Sequence, residues 1–164
     1  MPIDPVDHLL GSTPGTYTLL LALEAPTELQ VGCLGRLGFA APFYLYFGSA
    51  FGPGGLAARI RHHLQPIRRA HWHIDYLRQV AAVRGAWYTS DAACLECAWA
   101  NAALALPGVS SVPRFGSSDC RCQSHLIAAH SLPSLSAFRR QLDALQSRCA
   151  EIRQLRVTRR LAAD

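Results

Sequence analysis

A strand that stops at a glycine and leads directly into a helix is the feature that most limits how this chain can fold. The segment "PFYLYFGS" (42–49) has the aromatic and apolar composition of a strand, and the glycine-rich "FGPGG" separates it from "LAARIRHHL". Side chains alternate along a strand, so Tyr44 and Tyr46 share one face. That face either belongs to the core, with its hydroxyl groups bonded to partners, or lines a working surface.

Two earlier apolar segments complete a predicted three-stranded antiparallel meander. They are "GTYTLLLAL" (15–23) and "LQVGCLG" (29–35), which a turn connects. Residues 54–64 predict a helix that ends before Pro66, and 71–79 a short helical turn. Residues 80–89 predict a strand, followed by a helix to about residue 106 that Ser90 or Asp91 caps. The prediction is an α+β fold with a small three-stranded antiparallel sheet flanked by helices.

The chain of 164 residues is long enough for one domain with its own core. We predict a loose leader over residues 1–13, the main domain over 14–130, and an added basic amphipathic helix within 131–164. The apolar stripe of that helix consists of Leu135, Phe138, Leu142, Leu145, Ile152 and Leu155. The stripe either packs on the domain, leaving arginines such as Arg159 and Arg160 outward, or forms a dimer contact. The oligomeric state therefore stays open.

The charge balance favours a polyanionic partner. The net charge is +5, and all sixteen basic residues are arginine, whose planar fork binds phosphate in a bidentate way. Four arginines and two histidines fall within residues 59–69, as expected of a nucleic-acid-binding surface. No segment has the roughly 20 apolar residues of a membrane span, and the first residues lack the pattern of a secretory signal. We therefore expect a cytoplasmic protein without a membrane partner.

The cysteines allow two interpretations. Cys94 and Cys97 form a C-x-x-C pair, and Cys120 and Cys122 form C-x-C with His125 nearby. Zinc sites use such residues, but C-x-C is not the usual spacing, and the first pair lies in an alanine-rich helical pattern. Buried free thiols are the favoured interpretation and a zinc site is the alternative.

Few carboxylates are available for chemistry. Once turn and capping positions are set aside, residues 15–130 leave Asp75, Glu96 and Asp119. Glu96 is unusual because its predicted helix is otherwise apolar, so its carboxylate either faces solvent, pairs, or binds a cation. Asp75 lies within "HWHIDYL", where it either orients a histidine or caps a turn, and Asp119 follows "GSS" in a loop.

The order of these motifs resembles the GIY-YIG nuclease superfamily, and more closely its Uri branch. The matching segments are "GTY" (15–17), "YFG" (46–48), "LAARIRHH" (56–63), Glu96 and "FGSSDCRCQSHL", and they span residues 15 to about 128. The resemblance implies catalytic roles for five residues: Tyr17, Tyr46, Arg59, His63 and Glu96. We further expect substrate contacts from Gly48, Ser49, Arg61, His71, His73, Asp75 and Ser118.

The resemblance also implies a chemistry. Tyr17 would take a proton from the attacking water, although an unperturbed phenol pKa of roughly 10 requires a nearby cation or a histidine relay. Arg59 would contact the phosphate, and Glu96 would hold Mg²⁺ or Mn²⁺. The family asparagine that follows the glutamate has no clear match, with Ser118 or Asp119 as substitutes. The expected activity is metal-dependent cleavage of DNA by an accessory of repair or recombination. The alternatives are a non-catalytic nucleic-acid-binding module and a zinc or thiol protein.

Overall fold

A six-stranded antiparallel sheet with helices on both faces forms the domain in the computed structural model, which describes residues 5–157. In chain order the elements are α1 (Pro5–Leu10), β1 (Thr16–Leu23), β2 (Thr27–Gln30), a 3₁₀ turn (Gly32–Leu34), β3 (Arg36–Phe39), β4 (Phe43–Ser49), α2 (Gly55–Leu64), α3 (His73–Arg78), β5 (Ala81–Thr89), α4 (Glu96–Leu104), β6 (Val109–Ser111), β7 (Leu126–Ala129), α5 (Leu135–Ala144) and β8 (Arg153–Arg156). The α+β class is confirmed.

The predicted three-stranded sheet is wrong. The large sheet has the order β6-β7-β4-β1-β5-β8, and β2 and β3 pair separately from it. The segment 29–35 does not join β1, because Gly32 and Gly35 adopt positive φ values of 44° and 78° and turn the chain within it. The segment instead supplies the end of β2 and the turn of a small hairpin in which β2 pairs with β3, and the second neighbour of β1 is the distant strand β5.

The central strand β1 sets the register that matters for the site. Tyr17 lies opposite Gly48 on β4 and opposite Tyr88 on β5. A register irregularity between Leu20 and Leu21 shifts the second half of the β1–β5 ladder by one residue. The first residues of β1 and the last residues of β4 and β5 thus lie side by side at one end of the sheet.

Both faces of the sheet are buried, each against different helices. On one face, Leu19 and Leu21 of β1 pack with residues of α1, α2 and α3, including Leu56 and Ile60. On the other face, the intervening Leu20 packs in a cluster with residues of α4 and α5. The large side chains of that second cluster are Phe47, Trp87, Trp99 and Phe138. Alternate side chains of β1 therefore pack into two separate cores, which explains why this strand is apolar along most of its length.

The helices largely follow the prediction but are short. α2 begins one residue after the predicted start and ends at Leu64, while α4 begins only at Glu96. Asp91 does not cap α4, because its carboxylate accepts hydrogen bonds from the backbone N–H groups of Ala93 and Ala150. The longest helices have ten residues, and no helix among the described residues has the length and apolar character needed to cross a membrane.

The two ends of the chain differ from the prediction. Part of the expected loose leader forms α1, whose Val6 and Leu10 are buried. The expected long C-terminal helix ends at Ala144, because Gln146 adopts a positive φ of 54° and the backbone turns. The chain then returns as β8, an edge strand beside β5. The predicted outward arginines Arg159 and Arg160 lie outside the described residues.

Candidate active site

A cleft of about 250 Å³ lies at the end of the sheet, where β1, β4, α2 and the start of α4 meet. Its lining residues are Tyr17, Tyr46, Gly48, Ser49, Arg59, His63, Trp72, Glu96, Gly116, Asp119, Cys120 and His125. All five residues to which the resemblance gave catalytic roles are among them. They come from four elements separated by up to 79 positions, from Tyr17 to Glu96.

Gly48 makes room for the Tyr17 ring. A Cβ atom at position 48 would lie 2.5 Å from the Tyr17 hydroxyl oxygen and 2.6 Å from Cζ, well inside van der Waals contact. The strand therefore needs a glycine opposite Tyr17, and the reason is steric rather than a special backbone conformation. The short sequence "YFG" thus fixes the direction of the Tyr17 side chain.

A side-chain hydrogen bond joins the start of α4 to β1. The backbone N–H of Leu95 donates to Thr16 Oγ1 at 3.0 Å, so the first helical residue, Glu96, stands beside the residue that precedes Tyr17. The Glu96 side chain is half-buried and lines the cleft. Within residues 5–157 its carboxylate forms no ion pair, so its charge stays available to a ligand.

Tyr17 and His63 form a buried polar pair. The Tyr17 hydroxyl lies 2.8 Å from His63 Nε2, and both side chains are at most 2 % exposed. Burial, with further repulsion from Arg78 and His62, lowers the pKa of His63 to about 3. Burial and the nearby Tyr46 raise the pKa of Tyr17 well above its ordinary value, although Arg59 opposes this. At neutral pH the pair is therefore a protonated phenol donating to a neutral imidazole.

The two tyrosines of β4 divide between core and cleft. The Tyr44 hydroxyl is buried and accepts a hydrogen bond from the backbone N–H of Ala41 at 3.1 Å. Tyr46, on the same face, is half-buried and lines the cleft. Desolvation there, together with the Glu96 carboxylate, raises the pKa of Tyr46. One strand face thus serves the core near its start and the cleft near its end.

Arg59 presents a cation at the mouth of the cleft. Its guanidinium carbon lies 4.3 Å from the centroid of the Trp72 ring, which is a cation–π contact. Within the described residues Arg59 forms no ion pair with a carboxylate. The Trp72 indole holds the long Arg59 side chain in one place. The guanidinium N–H groups, which have no carboxylate partner within the described residues, can then meet an anion.

Asp75 is buried beneath the cleft and is fully hydrogen-bonded. It accepts from the backbone N–H groups of His71 at 2.9 Å and Trp72 at 3.0 Å, and from His62 Nε2 and Arg78 Nη1 at 3.2 Å each. Burial raises the pKa of Asp75, but these hydrogen bonds outweigh it and hold the pKa below its ordinary value. The carboxylate therefore fixes the loop that carries Trp72 rather than facing a substrate.

Residues 16–147 match the family model described as "Domain of unknown function DUF123". The chain belongs to this family. The matched range extends from β1 past the end of α5, so every residue that lines the cleft falls inside the DUF123 domain. No curated protein and no solved structure matches the chain with significant similarity.

The expected substrate contacts of the DUF123 domain fall into two groups. Gly48 and Ser49 line the cleft, whereas Arg61, His71, His73, Asp75 and Ser118 do not. His73 Nδ1 instead accepts from the backbone N–H of Gly116 at 3.3 Å and supports the cleft wall. His71 is exposed beside Trp72, and Ser118 is exposed on the loop before Cys120.

Sequence reasoning missed part of the cleft wall. Trp72, Gly116, Cys120 and His125 line it; "PRFGSSDCRC", which holds Gly116 and Cys120, was predicted as a loop, and "SHLIAAH", which holds His125, as a short strand or extended segment. Gly116 has a φ of 70°, and a Cβ there would lie 3.0 Å from the Tyr46 ring. The glycine in "RFGSSD" was the available signal, because it marks a close backbone approach. Asp119, named above as a substitute for the family asparagine, does lie at the cleft.

Proposed function

We propose that this DUF123 domain is a metal-dependent nuclease of the GIY-YIG type that hydrolyses phosphodiester bonds in DNA. One observation carries the proposal: Tyr17, Tyr46, Arg59, His63 and Glu96 converge on one cleft. A phenol, a guanidinium and a carboxylate around one hollow are the groups that phosphodiester hydrolysis needs. The sequence resemblance had given catalytic roles to these same positions before their arrangement was known.

The donors in the cleft fit a magnesium or manganese ion. The Glu96 carboxylate forms no ion pair within residues 5–157, and the exposed Asp119 lines the same cleft. Mg²⁺ is usually held by one or two carboxylates, with waters and substrate phosphate oxygens filling its other positions. When bound, such an ion supplies Lewis acidity toward the phosphoryl and leaving oxygens. Asp75 is not a proposed ligand of this ion, because it does not line the cleft and already accepts four hydrogen bonds from the protein.

The proton path uses the Tyr17–His63 pair. A water attacking the phosphorus gives its proton to the Tyr17 oxygen as the Tyr17 proton moves to His63 Nε2, 2.8 Å away. The raised pKa of Tyr17 and the lowered pKa of His63 oppose this transfer in the empty cleft. Negative charge on a bound phosphodiester stabilises the imidazolium, so the base becomes effective only with substrate in place.

Arg59 binds the substrate backbone in this proposal. Its guanidinium, oriented by Trp72, donates to the nonbridging oxygens, where charge grows in the transition state. Tyr46 lines the cleft together with Arg59 and Glu96 and keeps its proton, since burial and the Glu96 carboxylate raise its pKa. It therefore acts as a hydrogen-bond donor to a phosphate oxygen and not as a base.

A binding module without catalysis is the second candidate. The observation that favours it is the burial of the Tyr17 hydroxyl against His63 Nε2, 2.8 Å away. This burial raises the pKa of Tyr17 and lowers the pKa of His63, so neither group is an active base before substrate binds. In that case the same cleft and its arginine would hold nucleic acid and leave it intact. Binding and cleavage must therefore be measured on the same substrates.

The deciding experiment incubates the protein with single-stranded, duplex and branched DNA and with matching RNA. Each reaction is run with Mg²⁺, with Mn²⁺ and with a chelator, and binding is measured in parallel by fluorescence anisotropy. The proposal expects cleavage that needs the divalent ion and that falls at least 100-fold in Glu96→Gln and Tyr17→Phe. The control Glu24→Gln changes an exposed glutamate just after β1 and should cleave as wild type.

Three results would count against metal-dependent cleavage at this cleft. Cleavage that persists in the chelator would show that no divalent ion is needed, and cleavage that survives Glu96→Gln would indicate a contaminating nuclease. Tight binding without any cleavage across the panel would support the binding module. Melting temperatures of all variants are recorded, so that a loss of activity is assigned to the site only where the fold is retained.

A further inference from the structure

Three sulfurs and one imidazole meet where the loop before β7 approaches the start of α4, at one side of the cleft. The ligand atoms of Cys97, Cys120, Cys122 and His125 all lie within 4.8 Å of one another. Cys97 comes from the first turn of α4, and the other three come from the loop that leads into β7. His125 is 3 % exposed and the cysteines are half-buried, so the cluster is shielded from solvent but reachable by an ion.

The distances in this cluster fit a tetrahedral zinc shell. Zn–S bonds of about 2.3 Å and a Zn–N bond of about 2.0 Å place sulfur about 3.5 Å from the ligating nitrogen. Cys97 Sγ lies 3.5 Å and Cys120 Sγ 3.4 Å from His125 Nε2. Three cysteines and one histidine are a common structural zinc set, and no carboxylate belongs to the group.

Hydrogen bonds around the cluster orient its ligands as in known zinc sites. The backbone N–H of Cys122 donates to Cys120 Sγ at 3.4 Å, which stabilises a thiolate. His125 Nε2 faces the sulfurs of Cys97 and Cys120, so this ring nitrogen is placed to act as the fourth ligand.

We propose that Cys97, Cys120, Cys122 and His125 bind one Zn²⁺ ion as a closed structural site. The three thiols release their protons to solvent on binding, and the neutral imidazole completes the four ligands. No position is left for water or substrate, so the ion stabilises the fold and does not catalyse.

The proposed zinc site is part of the cleft wall. Cys97 directly follows Glu96, and Cys120 and His125 themselves line the cleft. The ion therefore ties the segment 116–125 to the start of α4 and fixes two walls relative to each other. The inference depends on metal binding alone and stands even where no nuclease activity is found.

The sequence had suggested a different cysteine set. Cys94, the first residue of the C-x-x-C pair, is exposed and lies outside the cluster. Residues 91–95 precede α4, so only Cys97 is on the helix and turned toward the loop. His125 takes the fourth position. This difference supplies a matched control, because Cys94 is three residues from a proposed ligand.

The test measures metals in the full-length protein, purified without an affinity tag that could itself bind metal. Inductively coupled plasma mass spectrometry should find one zinc per chain in wild type and in Cys94→Ser. The Cys97→Ser and Cys122→Ser variants should each contain ~80 % less zinc per chain or lower still, because each lacks one of the four ligands. Wild type stripped under reducing conditions and loaded with Co²⁺ should show visible absorption of a tetrahedral site and a thiolate charge-transfer band for three sulfurs.

Several outcomes would overturn the inference. One equivalent of iron or copper in the purified protein would show that the site holds that metal and not zinc. Retention of zinc by Cys97→Ser would show that the proposed ligand set is wrong. A disulfide among Cys97, Cys120 and Cys122 in freshly purified protein, found by mass spectrometry of alkylated peptides, would show a redox pair instead. The cobalt spectrum of wild type decides the question even where the serine variants fail to fold, since an octahedral spectrum contradicts the proposal.

Discussion

Burial of His63 in its neutral form predicts a loss of stability on acidification that one substitution should remove. The imidazole is 1 % exposed, and its Nδ1 has no hydrogen-bond partner within the described residues. The charged or titratable groups around it come from β1, β4, α2 and α3. They are Tyr17, Tyr46, Arg59, His62, Asp75 and Arg78. The nearby cations and burial outweigh the one carboxylate, so protonation is disfavoured.

The size of the effect follows from the two pKa values. His63 has a pKa of about 3 in the folded protein, whereas an unfolded histidine titrates near 6.5. Between these values the unfolded chain binds one more proton than the folded chain, so the free energy of unfolding falls as the pH falls. Integration from about pH 6.5 to about pH 4.5 gives a loss of about 2 kcal/mol from this one residue.

The assay is urea unfolding followed by circular dichroism at several pH values across that window, in wild type and His63→Gln. Glutamine can still accept from Tyr17 but does not titrate, so the variant should lose about 2 kcal/mol less than wild type over the window. His130→Gln is the matched control, since this histidine is exposed at the end of β7 and is solvated in both states. Contributions from other groups are common to both proteins and cancel. Equal losses in wild type and His63→Gln would refute the reasoning.

Three further predictions concern packing and binding. Gly48→Ala places a Cβ 2.5 Å from the Tyr17 hydroxyl oxygen and should cost about 1–3 kcal/mol in urea unfolding, whereas Gly38→Ala, with no heavy atom within 4 Å, should not. Phe138→Ala removes a fully buried ring between the sheet and α4 and should cost about 3–5 kcal/mol in the same assay; a loss under about 1 kcal/mol would contradict that packing. Arg59→Lys keeps the charge but loses the planar fork, so fluorescence anisotropy should show a DNA affinity reduced several-fold. Unchanged affinity would show that Arg59 does not contact DNA.

The part of the site that could be predicted depends on local signals. The strand ending in Gly48, the amphipathic pattern of α2 and the carboxylate in an apolar helix are each visible within about ten residues. From the residues alone, Glu96 stood out by the cost of burying a charge, and Gly48 stood out as the end of a strand. The catalytic roles of Tyr17, Tyr46, Arg59, His63 and Glu96 came from the resemblance, which depends on the order of these local motifs.

The rest depends on contacts between distant segments. The edge strands β6 and β8 and the inner strand β7 have three or four residues each, and β8 pairs with β5 across more than 60 positions. Such short strands carry almost no periodicity, so their pairing is set by tertiary packing. The zinc ligand set was missed for a similar reason. Spacing suggested Cys94, but α4 begins only at Glu96, and His125 reaches the cluster through the fold of the loop.

The two proposed metals are kept apart by the chemistry of neighbouring donors. Glu96 offers hard oxygen ligands to the cleft. Cys97, the next residue, offers a soft thiolate to the adjoining cluster of Cys120, Cys122 and His125. Mg²⁺ prefers the first and Zn²⁺ the second, so one helix start can serve both ions without exchange. A strong chelator removes both, and it acts on the cleft twice: directly at Glu96 and indirectly by releasing the segment 116–125. Loss of cleavage in chelator therefore does not identify the catalytic ion. Comparison of Glu96→Gln with Cys97→Ser separates the proposed catalytic ion in the cleft from the proposed structural zinc.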